Sequence, residues 1–297
     1  MLLRMPAVHV YQILNFYTKR AELDAGFQVL DNSDNQRPDW YEYWPIRNFL
    51  TGQPLDEEAF YGFLSPKFHL KTNLSAQTVR DLLAAVAPDV DVALFSPSIH
   101  NAAYFWNVFE HGESEHPGLL AVSQRFFARA GHPQQLKALV SDSRNTVHSN
   151  YFIARPRFWR AWLTLTEQLY AIAESAGDDL GAALRAPTEY RGARAVSMKI
   201  FVMERVASFL LMTDPTLKAV VRDPFAARTR VYKVPLAVVC DALKIAHTLT
   251  GRGQYRVVFH WVSALARSWN LRIRAAALAG GATRRCLEAL KSYWAAP

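Results

Sequence analysis

Cysteine is almost absent: Cys240 and Cys286 are the only two in 297 residues, and neither stands at metal-ligand spacing. A disulfide framework is excluded in practice, and a reducing cytoplasm is the simplest setting. Long apolar runs are also missing, since no uninterrupted stretch reaches the ~18 residues a spanning helix needs. The opening MLLRMPAVHVYQIL has one early Arg, but Pro6 and His9 interrupt it and no small-residue cleavage site follows. It reads as a first core strand rather than a signal peptide. There is no GxGxxG, GxxxxGK[ST], GxSxG, HExxH or paired CxxC, which removes the usual signatures of dinucleotide, P-loop, nucleophile-elbow and zincin chemistry. No internal repeat or low-complexity tract is present.

What is present is an ordinary globular composition, 51% hydrophobic and 20% charged, with core material for one large domain or two modest ones. The net charge of +8 is unevenly placed. Residues 218–297 hold 14 Lys/Arg against 3 Asp/Glu, whereas residues 1–217 hold 20 against 23. A basic C-terminal quarter on a near-neutral body points to an anionic surface partner.

Strand patterns occupy residues 8–16, the first part of 24–35, 59–64, 90–95 and 147–154. Helices are predicted over 41–50, from the N-cap Ser75 to about 86, over 117–130, and over 157–175 behind Pro156. Strands alternating with helices predict an α/β domain with a mainly parallel sheet over residues 1–217. From Ser197 the pattern becomes helical, with candidates over 197–213, 234–250 and 255–277, so residues 218–297 read as a basic helical extension.

The most informative stretch is DWYEYWPIRNFLTGQPLDEEAFYGFLSPKFHLK, residues 39–71, which sets many aromatic rings among Asp39, Glu42, Arg47, Lys67 and Lys71. Rings interleaved with charges suit a cleft wall that binds a ligand with apolar faces and polar edges, such as a sugar; a well-packed irregular loop is the alternative. Arg47, Lys67 and Lys71 could neutralise a diphosphate without metal, or be solvated or ion-paired. Asp89-Val90-Asp91 matches the D-x-D that holds a divalent cation in many nucleotide-sugar transferases, but it precedes its strand instead of following it. No metal or other cofactor is therefore expected. His111 and His116, in the Gly- and Pro-punctuated EHGESEHPG, lack the helical spacing to converge on a metal.

Two further segments stand out. In SMKIFVMERVASFLLMT, Glu204-Arg205 interrupts an apolar face, so Glu204 is either a general base or half of an anchoring ion pair. In SNYFIARPRFW, Asn150 sits within a strand pattern where its amide needs a partner, followed by Tyr151 and Phe152.

The order YEYWPIRNFL, FYGFLSPKFHLK, DVDVALFSP, EHPGLL, NYFIARPRFWRAWLTLTEQLYAIAE and KIFVMERVASFLL, over roughly residues 8–212, resembles small bacterial glycosyltransferases and glycosyltransferase-like proteins of polysaccharide gene clusters, which have GT-A-type folds. The paired arginines that often follow the G-(F/L) strand in that group are replaced here by SPKFHLK. The resemblance implies transfer of a sugar from a nucleotide sugar to a glycan or lipid-linked acceptor in capsule or O-antigen assembly. Tyr41, Tyr43, Trp44, Tyr61, Ser65, Asn150 and Tyr151 would shape the donor and acceptor cleft, with Asp39, Glu42, Arg47 and His116 beside them. Glu204 would be the catalytic carboxylate, and Arg205, Lys67 and Lys71 the partners of the anionic leaving group. Residues 255–277, with Val257, Val258, Trp261, Leu265 and Trp269 beside Arg256, Arg267, Arg272 and Arg274, would hold the cytoplasmic enzyme at an anionic membrane or pack on the body. A non-catalytic carbohydrate-binding or scaffold protein is the alternative, and behind it a nucleic-acid-binding protein using the basic tail; the near-neutral body and the lack of a binding motif argue against the last, so no nucleic-acid partner is expected.

Overall fold

The computed structural model describes residues 6–97, 99–190, 194–225 and 234–279. In chain order these form β1 (Val8–Asn15), β2 (Gln28–Asn32), α1 (Tyr43–Gly52), β3 (Phe60–Leu64), α2 (Phe68–Thr72), α3 (Ala76–Ala84), β4 (Val92–Leu94), α4 (Val108–Glu115), α5 (Leu119–Arg129), β5 (Phe152–Ala154), α6 (Pro156–Glu174), α7 (Asp179–Arg185), β6 (Pro187–Tyr190), β7 (Arg194–Ser197), α8 (Met198–Met203), α9 (Val206–Thr213), β8 (Ala219–Val221), α10 (Val234–Thr250) and α11 (Gly253–Ala279).

The main sheet has the order β2-β1-β3-β5-β4-β8, and β6 and β7 form a separate hairpin. Pairs β1–β2, β1–β3 and β4–β8 are parallel, while β5 runs antiparallel to both β3 and β4. The expected α/β class with a mainly parallel, helix-flanked sheet is therefore what the chain forms. Burial follows the period of two on the central strands. Tyr61, Phe63, Phe152, Ala154, Val92 and Leu94 face one core layer with α1 and α4 to α9; Phe60, Leu64, Tyr151, Ile153, Ala93 and Phe95 face the other with α2 and α3. Gly62 is required by close approach, because a Cβ there would lie 2.6 Å from Ile153 Cγ1 on β5.

Several boundaries differ from the sequence expectation. The segment around Glu110–Glu115 is helical, contrary to its Gly/Pro punctuation, because Asn107 caps α4 by accepting from the backbone of Phe109 and Glu110. The helix expected over 197–213 is two, α8 and α9, parted at Glu204-Arg205. The C-terminal part packs on the body: β8 joins the main sheet, and α10 and α11 pack through Ala237, Cys240, Phe259 and Ala266 on Tyr104 and Trp106. Within this contact Lys244 is buried and donates to the Phe105 carbonyl at 3.2 Å. Burial drives its pKa down to about 8. Cys286 and the side chains of Trp269, Arg272 and Arg274 lie outside those described. No helix among the described residues is long and apolar enough to cross a membrane.

Candidate functional site

Strands β1, β2 and β3 end on one rim of the sheet, at Asn15, Asn32 and Leu64, followed by Ser65. Because β5 is reversed, residues 148–150 arrive at that same rim. A cavity of about 300 Å³ opens here, outside the carboxyl ends of parallel strands, where open α/β sheets bind ligands. Its wall combines Asn15, Asn32, Asn35 and Asn150 with Glu42, Glu204, Ser65, Ser149 and Lys71, and adds the rings of Phe16, Tyr17, Trp40, Tyr41 and Phe201.

The first wall is the turn from Pro38 to Glu42. Asp39 accepts from Arg37 at 3.0 Å and from Lys199 of α8 at 2.6 Å; Trp40 Nε1 donates to Glu174 at 2.9 Å. Burial alone would raise the Asp39 pKa, but the Arg37 and Lys199 hydrogen bonds outweigh it and hold it near 2. Asp39 is thus an anchor, not a ligand group, and it fixes the Tyr41 and Glu42 that follow. Tyr41 sits at φ +49°. Among the described residues, five that are not glycine have positive φ, and four of them, Asn35, Tyr41, Ser149 and Asn150, line the cavity. Such conformations cost of order 1–3 kcal/mol each and concentrate at functional sites.

Glu42 and Glu204 are the cavity's two acids. Burial pushes the Glu42 pKa up to about 7, with Lys71 opposing and the charge of Glu204 adding to the rise. Glu204 is also raised by burial, against the pull of Arg205 and Lys71. Its side chain is nevertheless 43% exposed, because solvent reaches it through a cavity whose walls otherwise enclose it. Glu204 occupies the break between α8 and α9, and the interruption of the apolar run turns its carboxylate out of the core. Its neighbour has the opposite role. Arg205 donates to the carbonyls of Val108 at 3.0 Å and Phe201 at 2.5 Å, and a Cβ on Gly112 would meet its Nε at 2.5 Å. Arg205 therefore clamps α4 and lies outside the cavity lining; its contact with Glu204 is only 4.0 Å.

Lys71 lies over the Tyr151 ring at 5.3 Å and donates to Ser149 Oγ at 3.0 Å. Ser65 Oγ and the Tyr151 hydroxyl are hydrogen-bonded at 2.5 Å, so Tyr151 supports the rim from beneath. Asn150 Oδ1 is buried without a hydrogen-bond partner.

Other expected site residues are held by protein partners or lie outside the cavity lining. Arg47 forms a bidentate pair with Glu167 at 2.6 and 2.8 Å. Tyr43 lines the cavity, but its hydroxyl bonds Glu167 at 2.5 Å, and burial raises its pKa. Trp44 lies under the guanidiniums of Arg37 and Arg47, each at 5.5 Å. The Tyr61 hydroxyl accepts from the Asp56 backbone at 3.0 Å. Lys67 is exposed at the start of α2, outside the lining. His116 ends α4 and stacks on Phe201 at 3.6 Å between ring centroids, one layer behind the wall. His111 stands 5.7 Å from His148; burial lowers their pKa values to about 3 and 4, and nearby Arg205 and Lys244 add to both. Cationic neighbours make that pair a poor cation site. No group of three or more His, Cys, Asp or Glu that could hold a metal occurs among the described residues. Asp89 pairs with Lys218 at 2.5 Å and Asp91 accepts from the Lys218 backbone at 2.8 Å, so both serve the amino end of β4.

Sequence reasoning missed Asn15, Asn32, Asn35, Ser149, Phe16 and Tyr17. Asn32 donates to Asn15 at 3.3 Å, and Asn15 to the Tyr17 hydroxyl at 3.1 Å. The available signal was an Asn at the last position of each of two strands, with exposed Phe16 and Tyr17 directly after the first. Comparison with protein-family models, with curated proteins and with solved structures finds no match for this chain.

Proposed function

We propose that this chain is a glycosyltransferase, moving a sugar from a nucleotide-sugar donor to a glycan or lipid-linked acceptor in bacterial surface polysaccharide assembly. One observation carries this: amide side chains, two carboxyls and several aromatic faces converge in one cavity at the carboxyl rim of the sheet. Amides and carboxylates hydrogen-bond the edges of a pyranose, and rings cover its apolar faces. The rim position also supports the GT-A-type likeness.

In this reading the sugar occupies the wall of Glu42, Glu204 and the asparagines, where a diphosphate would be repelled, and the diphosphate lies toward Lys71. Glu204 accepts the proton of the acceptor hydroxyl as that oxygen bonds to the anomeric carbon; the bond from that carbon to the diphosphate breaks, and Lys71 meets the charge on the departing nucleoside diphosphate. Glu42, anchored through the Asp39 turn, holds a sugar hydroxyl. The alternative, a carbohydrate-binding protein without catalysis, would use the same wall without needing Glu204 as a base.

A thermal-shift screen of nucleotide sugars, with and without Mg²⁺ or Mn²⁺, tests the class, because a ligand of the native state raises the unfolding midpoint. Donor hydrolysis or transfer is then compared in wild type and Glu204→Gln. A loss of about 10²–10⁴-fold with donor binding retained is expected of a removed general base. No midpoint shift with any nucleotide sugar overturns the donor class; binding of glycans with no turnover by wild type favours the binding protein.

A further inference from the structure

Away from the cavity, the outer face of α11 has no role in the chemistry above. Its inner face is committed, since Phe259, Ser263 and Ala266 are buried and two of them belong to the cluster around Trp106. Helical spacing then sends Val257, Val258, Trp261 and Leu265 outward, at 57, 47, 74 and 68% exposure. A tryptophan exposed to that degree on an apolar ridge marks an interaction surface. Arg256 and Arg267, both exposed, lie together on one flank of the helix toward the body, their guanidiniums over the rings of Trp106 and Phe105 at 5.1 and 5.2 Å. From residue 242 onward the chain carries nine Lys/Arg and a single acid, Glu288.

That combination selects the occupant. A second copy apposed through this face would bring positive charge against positive charge. A nucleic acid would satisfy the charge but offer no apolar layer to Val257 and Leu265. An anionic bilayer offers phosphates at the level of the arginines and an acyl boundary at the level of the ridge.

We propose that the outer face of α11 docks on an anionic lipid surface, with Val257, Trp261 and Leu265 entering the headgroup–acyl boundary and Arg256 and Arg267, on one flank, within reach of lipid phosphates. The inner face keeps α11 fixed to the body, so the helix both packs and docks. This surface is independent of the chemistry assigned to the cavity.

The test uses the full chain and vesicles of phosphatidylcholine alone or mixed with phosphatidylglycerol, with co-sedimentation as the readout. Binding to the anionic vesicles alone is expected, weakening as salt is raised. The double substitution Trp261→Ser, Leu265→Ser should reduce it by at least about tenfold. Both side chains point outward, so the thermal midpoint should hold, and light scattering should show the same mass for variant and wild type. Equal binding to neutral vesicles, no binding at all, or binding indifferent to the substitution overturns the proposal. So does a dimer that dissociates on substitution, or duplex-DNA binding lost with the same changes.

Discussion

Replacing Glu42 by Gln should make the protein more resistant to unfolding, by an amount that grows as pH rises from about 4.5 to 7 and is full above it. The carboxyl has a pKa near 7 in the folded chain against 4.5 ordinarily. The folded state therefore holds this proton more tightly than the unfolded state, and stability falls as pH rises from 4.5 through 7. At about 1.4 kcal/mol per pH unit of separation the full loss is about 3 kcal/mol, and water in the cavity brings it nearer 2 kcal/mol. Glutamine has the same shape and no ionisation, so the variant escapes this loss. Urea unfolding followed by tryptophan fluorescence at pH 5 and pH 8 measures it. With an m-value of about 3 kcal/mol/M, the midpoint gap between variant and wild type should widen by somewhat under ~1 M between those pH values. A gap that is equal at both pH values, or that narrows at pH 8, would show that Glu42 ionises freely and that the cavity does not enclose it. The same variant should bind sugar ligands more weakly if the carboxylate receives a hydroxyl.

Two other substitutions test the architecture around the cavity. Tyr41→Gly should relieve the positive φ at Tyr41 and raise thermal stability by about 1 kcal/mol, while removing an aromatic face from the cavity and weakening ligand binding; calorimetric titration beside the melting curve separates the two effects. Arg47→Met should leave Glu167 without its bidentate partner and lower stability by about 1–3 kcal/mol, with donor affinity unchanged, since Arg47 is not part of the lining. A change in donor affinity without loss of stability would return Arg47 to the site.

What the sequence disclosed depended on how local each signal was. Strands β1, β3 and β4 were legible because apolar residues recur over short runs between turn-forming residues, and Ser75 announced α3 by accepting from the Thr78 backbone as an N-cap should. Glu204-Arg205 was legible as an anomaly in an apolar run, though not as two residues with opposite duties. Arg47 was misplaced because its partner, Glu167, lies 120 residues away, and charge among aromatics reads the same whether it meets a ligand or a carboxylate. The asparagines at positions 15 and 32 gave little warning, since a strand-terminal Asn usually begins a turn. Only the pairing of β1 with β2 places the two amides side by side. Helix α4 was hidden by the glycine at position 112, which the sequence offers as a breaker and the structure uses as the seat of the Arg205 side chain.

The reversed strand β5 also has a kinetic consequence. The cavity draws residues from positions 15 to 204, and the 148–150 loop reaches the rim only after β5 has inserted between β3 and β4. The wall's segments are therefore joined to one another by contacts of long sequence separation, which form late because the loop-closure entropy comes first. No fragment that stops before α8 can present the cavity, and none that begins after β1 can. The pocket should thus appear with the final cooperative step of folding, and a ligand that fills it should slow global unfolding rather than protect a single segment.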